Sequence, residues 1–210
     1  MQLAPGTWRL AGPILGAGAV GLLVSPLLGL GLTVLAVFVI WFHRDPERTD
    51  PPEGVLAPAD GTVSVIRTET DDERAGTDEQ GTERVRVGVF MNVTDVHVNR
   101  APVSGTIGAV EHVKGGHWPA FSKDADRNER LHVDIGDTRV TLIAGTVARR
   151  IHAHVSPGER IERGERIGHV SFGSRADVLL PERFDPANLA VEPGEAVRAG
   201  ESVIAVEPES

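Results

Sequence analysis

The sequence predicts a mainly β domain behind an N-terminal apolar helical segment. Three observations lead there. No charged residue occurs between Leu10 and Phe42. After Gly54 the chain breaks into short alternating runs punctuated by Gly, Pro and Asp turns, the pattern of half-buried strands. Near the C-terminus a turn-rich pattern occurs twice. A chain of 210 residues suits one sizeable domain and an appendage. The absence of cysteine excludes disulfides, thiolate metal sites and cysteine nucleophiles. A net charge of −9 argues against a nucleic-acid partner. Lys114 and Lys123 are the only lysines, and such an acidic, arginine-rich surface suits a high-salt cytoplasm or a high-GC genome.

As one helix, Leu10–Phe42 would run roughly 50 Å, against a hydrocarbon core of about 30 Å. Ser25-Pro26 falls near its middle, where proline favours a break. Two arrangements fit: a helical hairpin of Leu10–Val24 and Leu27–Phe42, or one tilted span with a glycine-rich preface. The flanks, Arg9 on one side and His43, Arg44 and Arg48 on the other, are positive. A hairpin therefore puts both ends on the cytoplasmic face. The stretch is too long for a cleaved signal peptide, and its positive cluster follows it. The expected organisation is a membrane anchor over residues 1–43, a Pro-rich linker over 44–54, and a β domain over 55–210.

Within that domain Val55–Leu56 and Thr62–Arg67 flank the Pro58-Ala59-Asp60-Gly61 turn. Thr68–Glu83 is acidic and glycine-punctuated and reads as a solvated hairpin loop. Further strands are expected at Val85–Met91, Gly105–Val113, Leu131–Ile135, Thr138–Ala144 and Thr146–His152. Gly115–Arg130 looks irregular. It holds Trp118 and Phe121, which read as a lid or a membrane-facing tip and are the candidates for touching substrate. Two stretches, Pro157-Gly158-Glu159-Arg160-Ile161-Glu162-Arg163-Gly164-Glu165-Arg166-Ile167 and Pro193-Gly194-Glu195-Ala196-Val197-Arg198-Ala199-Gly200-Glu201-Ser202-Val203, repeat one pattern of two turns and two inward aliphatics. These corners resemble those of the barrel-sandwich hybrid fold of lipoyl and biotinyl domains.

Between the two corners lies Gly173-Ser174, after an apolar run. Glycine lets its carbonyl be approached closely and adopt strained angles. If a base takes the serine proton, the hydroxyl can attack that carbonyl. The peptide becomes an ester, the ester eliminates, and residue 174 is left as a pyruvoyl group.

Several further segments join this step in order: Arg44-Asp45-Pro46-Glu47-Arg48, Pro58-Ala59-Asp60-Gly61, Asp95-Val96-His97-Val98-Asn99-Arg100, Asn128-Glu129-Arg130, Ala148-Arg149-Arg150-Ile151 and Phe172-Gly173-Ser174. Together they resemble the phosphatidylserine decarboxylase family in its short prokaryotic form, over nearly the whole chain. The resemblance implies a zymogen that cleaves itself between Gly173 and Ser174 into a large chain, 1–173, and a small chain, 174–210. It implies Asp60, His97 and Ser174 as the set that drives cleavage. Imidazole titrates near neutrality and a carboxylate can orient it, so those residue types suit those duties. Longer members carry a second histidine where this chain has Arg100, so His97 is expected to serve cleavage. The covalent cofactor implied is the pyruvoyl group from Ser174, which forms a Schiff base with the serine head group of a phospholipid and accepts the electrons that carbon dioxide leaves behind. The product is the ethanolamine lipid. The implied partners are phospholipid, membrane, the cleaved small chain and a second copy, with no nucleic acid. Localisation at the cell membrane follows. Both phosphatidylserine and its ether-linked counterpart, archaetidylserine, fit.

Other readings are weaker. His152-Ala153-His154 puts two imidazoles on one strand face, but a third metal ligand is not evident and no metal is expected. The sequence around Ser171 and Ser174 lacks the G-x-S-x-G of a serine hydrolase. A membrane-tethered lipoyl-like carrier would need a modifiable lysine between the corners, and residues 157–203 contain none.

Overall fold

The computed structural model describes residues 2–70, 82–116, 118–120, 123–146, 151–170 and 173–208, with the side chains of 123 and 124 left aside. The chain divides into two compact units, Met1–Glu47 and Arg48–Ser210.

In the first unit, β1 (Gln2–Leu3) leads into α1 (Thr7–Val24), and α2 (Pro26–Phe42) leads into β2 (Arg44–Asp45), which pairs back on β1. Ser25 breaks the helix with an extended backbone, and Pro26 then opens α2 at a position where its missing N–H costs nothing. The two helices pack on glycine. A β-carbon on Gly29 would overlap the main chain of Leu22, and one on Gly18 would stand 2.9 Å from Thr33 Oγ1. Large apolar side chains such as Leu23, Val24, Leu27 and Val34 stay exposed. The helix α1 is long and apolar enough to cross a membrane, and α2 is a slightly shorter apolar helix.

The second unit is mainly β. Its strands are β3 (Val55–Leu56), β4 (Gly61–Thr70), β5 (Glu83–Met91), β6 (Val98–Arg100), β7 (Gly105–Val113), β8 (Arg130–Ile135), β9 (Thr138–Ile143), β10 (Ile151–Ala153), β11 (Arg160–Ile161), β12 (Arg166–Val170), β13 (Ser174–Leu179), β14 (Ala196–Val197) and β15 (Val203–Ala205). Among the described residues, an eight-stranded antiparallel sheet runs β11-β7-β8-β9-β13-β5-β4-β14 and curls into a half-barrel. A three-stranded sheet, β10-β12-β6, and the pair β15-β3 complete the frame. The core is aliphatic, with Val87, Val89, Val133, Leu142, Ile167 and Val178 all fully buried.

The β4–β5 hairpin extends beyond the expected strands, to Thr70 and from Glu83. Cross-strand charge explains the extension: Arg67 faces Arg86 in register, and Glu69 bonds both guanidinium groups. Residues 71–81 of the expected loop, and residues 147–150 of the expected strand Thr146–His152, lie outside the described residues. Within Gly115–Arg130, Lys123–Arg127 forms a 3-10 turn.

The repeated corners are structurally equivalent. Gly158 and Gly164 donate to Ile107 and Ala101 carbonyls at 2.8 and 2.9 Å; Gly194 and Gly200 donate to Val63 and Ala57 at 2.8 and 3.0 Å. All four glycines have positive φ. The glutamates Glu159, Glu165 and Glu195 each close their own turn by accepting the N–H three residues before them. The corners thus clamp two matching stretches, Ala57-Pro58-Ala59-Asp60-Gly61 and Ala101-Pro102-Val103-Ser104-Gly105. Leu56 N–H donates to the Pro102 carbonyl and Arg100 N–H to the Pro58 carbonyl, both at 2.9 Å. Asp60 accepts the Ala199 N–H and Ser104 accepts the Arg163 N–H, again both at 2.9 Å. The β unit is an approximate internal duplication.

Gly61 has φ +148, and a β-carbon there would overlap the Phe90 carbonyl oxygen. Gly61→Ala is expected to cost about 2–4 kcal/mol, read as a lowered thermal midpoint of the detergent-solubilised chain.

Candidate functional site

Ser174 opens β13, the strand seated between β5 and β9. Gly173 precedes it with φ +62, a left-handed bend that glycine adopts without strain. Ser174 is fully buried, and its hydroxyl finds only the Met91 thioether, 3.9 Å away, among the described residues. The hydroxyl donates to this weak acceptor, and among the described residues no donor reaches its oxygen lone pairs. Asn99 approaches the same sulfur at 3.6 Å and the Pro58 carbonyl at 3.4 Å through Nδ2. Its Oδ1 is buried and has no hydrogen-bond partner among the described residues. Met91 and Asn99 therefore tie the Pro58–Asp60 turn to the Ser174 hydroxyl.

His97 sits just before β6 and is buried. Its Nδ1 lies 3.0 Å from the Asp95 carbonyl. A carbonyl can only accept, so Nδ1 carries the proton and Nε2 the basic lone pair of the neutral ring. The His97 carbonyl receives the Val170 N–H at 3.4 Å, and β6 pairs with β12 through Val98 and His169. That ladder links the His97 segment to the run leading into Gly173-Ser174.

Asp60 is held elsewhere. Both its oxygens accept from Arg48, at 2.9 and 2.7 Å, and Oδ1 also accepts the Ala199 amide. Its hydrogen bonds go to neither His97 nor Ser174. Burial disfavours charge on Arg48, but Asp60 and Glu201 more than offset this and hold its pKa above the ordinary arginine value. Arg100 is buried and donates to the Gly164 carbonyl at 2.8 Å. It is part of the corner clamp.

Beyond Ser174, β13 carries an ionic network. Arg175 bonds Asp177 at 2.7 and 2.9 Å and Asp126 at 2.5 Å, and Asp177 also receives Arg86 at 3.1 Å. Gly88 makes room for it: a β-carbon there would stand 2.7 Å from Asp177 Oδ1. Desolvation lowers the tendency of Arg175 to stay charged, yet the two carboxylates raise its pKa overall. Burial works to raise the pKa of Asp126, but hydrogen bonds from Arg175 and Arg67 hold its carboxyl below the usual range.

Of the two candidate substrate contacts, Trp118 is exposed and its main-chain N–H donates to Asn128 Oδ1 at 2.7 Å. Phe121 lies outside the described residues, as do Ala148-Arg149-Arg150 and Ser171-Phe172. The His152–His154 pair gains a third ring that spacing did not reveal. His154 Nε2 lies 2.8 Å from His169 Nδ1, and His152 stacks on His169 at 4.5 Å. Among the described residues no group of three or more His, Asp or Glu is arranged to hold a metal ion.

The site therefore combines a buried serine behind a left-handed glycine with a buried imidazole on a segment paired to the preceding strand. The family model for phosphatidylserine decarboxylase matches residues 35–205. A protein of Halobacterium salinarum named "Putative archaetidylserine decarboxylase proenzyme" is 52% identical over 201 residues, covering 96% of this chain and 97% of its own. A phosphatidylserine decarboxylase proenzyme of Streptomyces griseus is 46% identical over 172 residues, covering 80% of this chain and 74% of its own. A Methanosarcina mazei protein with the same name as the Halobacterium one is 43% identical over 182 residues, covering 84% and 78%. The chain belongs to the phosphatidylserine decarboxylase family and is a decarboxylase.

Two measurements check the network beside Ser174. Arg175→Met leaves the buried Asp177 carboxylate with Arg86 alone, and is expected to cost about 2–4 kcal/mol at neutral pH in a denaturant titration. The pKa of Asp126 is lowered by folding. Its contribution is therefore complete above the ordinary value of 3.8 and disappears as pH falls through the lowered folded value. The thermal midpoint of the wild type should exceed that of Asp126→Asn at neutral pH, and the gap should close in that acid range.

Proposed function

We propose that the protein is a self-processing, pyruvoyl-dependent decarboxylase of serine-headgroup phospholipids, tethered to the membrane by α1 and α2. The observation that carries this reading is Ser174: a buried hydroxyl with a thioether as its only described acceptor, directly behind a left-handed glycine, at the start of a strand gripped on both sides. The proenzyme names of the relatives support the same reading.

In the processing step His97 Nε2 takes the Ser174 hydroxyl proton and the oxygen attacks the Gly173 carbonyl carbon. The C–N bond breaks, the amine of residue 174 takes a proton, and an ester joins the two residues. Loss of the α-proton of residue 174 then expels the Gly173 carboxylate. Rearrangement and hydrolysis with one water release ammonia and leave the new chain end as a pyruvoyl group.

Asp60 acts at one remove. Its bonds to Arg48 and Ala199 brace the turn whose Pro58 carbonyl accepts from Asn99 and Arg100, and that turn meets the site through Met91. The arrangement suits the pyruvoyl group: residue 174 is enclosed, and the two ladders of β13 keep the small chain in place after the cut. When present, the group supplies a ketone that condenses with a primary amine and accepts the electron pair released with carbon dioxide. The protein's own part is to enclose residue 174, to keep a basic imidazole nearby, and to orient the head group by the buried Asn99 carbonyl.

The equivalent clamps of the two Pro-Gly-Glu corners support a barrel-sandwich arrangement of the β unit. The positive residues Arg9, His43, Arg44 and Arg48 favour the cytoplasmic face for the catalytic unit. The low-lysine, acidic composition and the name of the Halobacterium relative favour the ether-linked lipid, archaetidylserine.

Purified wild type should run as two fragments on a denaturing gel and release carbon dioxide from serine lipid in mixed micelles, faster from the ether form. Ser174→Ala should stay whole and inactive, and His97→Gln should cleave at least about 100-fold more slowly. A Ser174→Ala protein that still splits at residue 173 would falsify the reading.

A further inference from the structure

Gly145 stands just past β9, and its α-carbon is pressed against the Gly173 carbonyl. A β-carbon on Gly145 would overlap the Gly173 carbonyl oxygen, stand 2.8 Å from the carbonyl carbon, and meet the Ala120 side chain at 3.4 Å. The obstructing atoms are main chain, so no change of rotamer relieves the overlap. Gly145 does not have a positive φ, so turn geometry does not ask for glycine here. The approach of the carbonyl does.

The floor under that carbonyl is rigid. Ala144 N–H donates to the Glu129 carbonyl at 2.9 Å, and the Ala144 carbonyl accepts from Asn128 Nδ2 at 2.7 Å. Asn128 is 1% exposed and also bonds both main-chain groups of Trp118, at 2.7 and 2.6 Å. One buried amide therefore locks the segment on which the Gly173 carbonyl rests.

We propose that Gly145 is a positioning residue for self-cleavage and that Asn128 holds it in place. This rests on the self-cleavage reading of Gly173-Ser174. By admitting the Gly173 oxygen against bare main chain, Gly145 sets how the carbonyl carbon faces the Ser174 hydroxyl. In the step concerned the Oγ–C bond forms, the hydroxyl proton leaves to the base, and the carbonyl oxygen takes the π electrons. The C–N bond then breaks and the amine is protonated. A methyl at residue 145 must displace the carbonyl by about an ångström, and misplacement of that size in an attack geometry costs on the order of 100-fold in rate.

The test is a cleavage time course of full-length chain made by cell-free synthesis into lipid nanodiscs. For Gly145→Ala the expected result is a rate constant lower by about 100-fold with an end-point near that of wild type, and for Asn128→Asp one lower by about tenfold. Hydroxylamine added early should split neither variant, because the block precedes the ester. A purely structural role predicts the opposite pattern, a smaller cleaved fraction at the wild-type rate constant, and that outcome overturns the proposal. So does a Gly145→Ala rate constant within about threefold of wild type. If Gly145→Ala does not fold, an unchanged rate constant in Asn128→Asp overturns it alone. Failure of the parent reading looks different: wild type itself stays whole.

Discussion

The structure depends on β13 being hydrogen-bonded on both sides. Residues 175–179 pair with β9 on one edge and, with Ser174, with β5 on the other. An interior strand of an antiparallel sheet is among the hardest elements to move, because each displacement breaks two ladders. That constraint holds residue 174 still while the chain before it bends at Gly173. It also lets a chain cut at that bend remain one folded body.

The charges on this strand belong to the same constraint. Arg175 and Asp177 point from one face of a buried strand, and each would be costly alone. Paired with one another, with Arg86 on β5 and with Asp126 on the turn before β8, they join three elements around the start of β13. The strand is thus held by ladders in its plane and by ion pairs out of it. The aliphatic faces of Ala176 and Val178 meet the core.

Much of this was legible in the sequence where the signal was local. Gly105–Val113 is a strand at both expected ends, and the Pro-Gly-Glu corners are turns, because glycine φ and a self-closing glutamate are local chemistry. The matching Ala57–Gly61 and Ala101–Gly105 stretches escaped notice because two of their five positions differ. The ends of the β4–β5 hairpin read as loop because their charges satisfy one another across the strands, which composition cannot distinguish from solvation. Asn99, Met91 and Gly145 carry no signature at all. Their roles come from non-local approach, a thioether between two side chains and a main chain bare enough to receive a carbonyl. Motif order names Asp60 beside Ser174, yet its carboxylate bonds Arg48 and the Ala199 amide, a pairing that motif order alone does not reveal.

The most direct test of the account is the intact mass of the purified protein before and after borohydride reduction in the presence of an amine. The account predicts two polypeptides, residues 1–173 ending in a free carboxylate and residues 174–210 lacking the amino group of a seryl terminus, with only the second gaining the mass of the trapped amine. A single species with the mass of all 210 residues and no reducible adduct would contradict it.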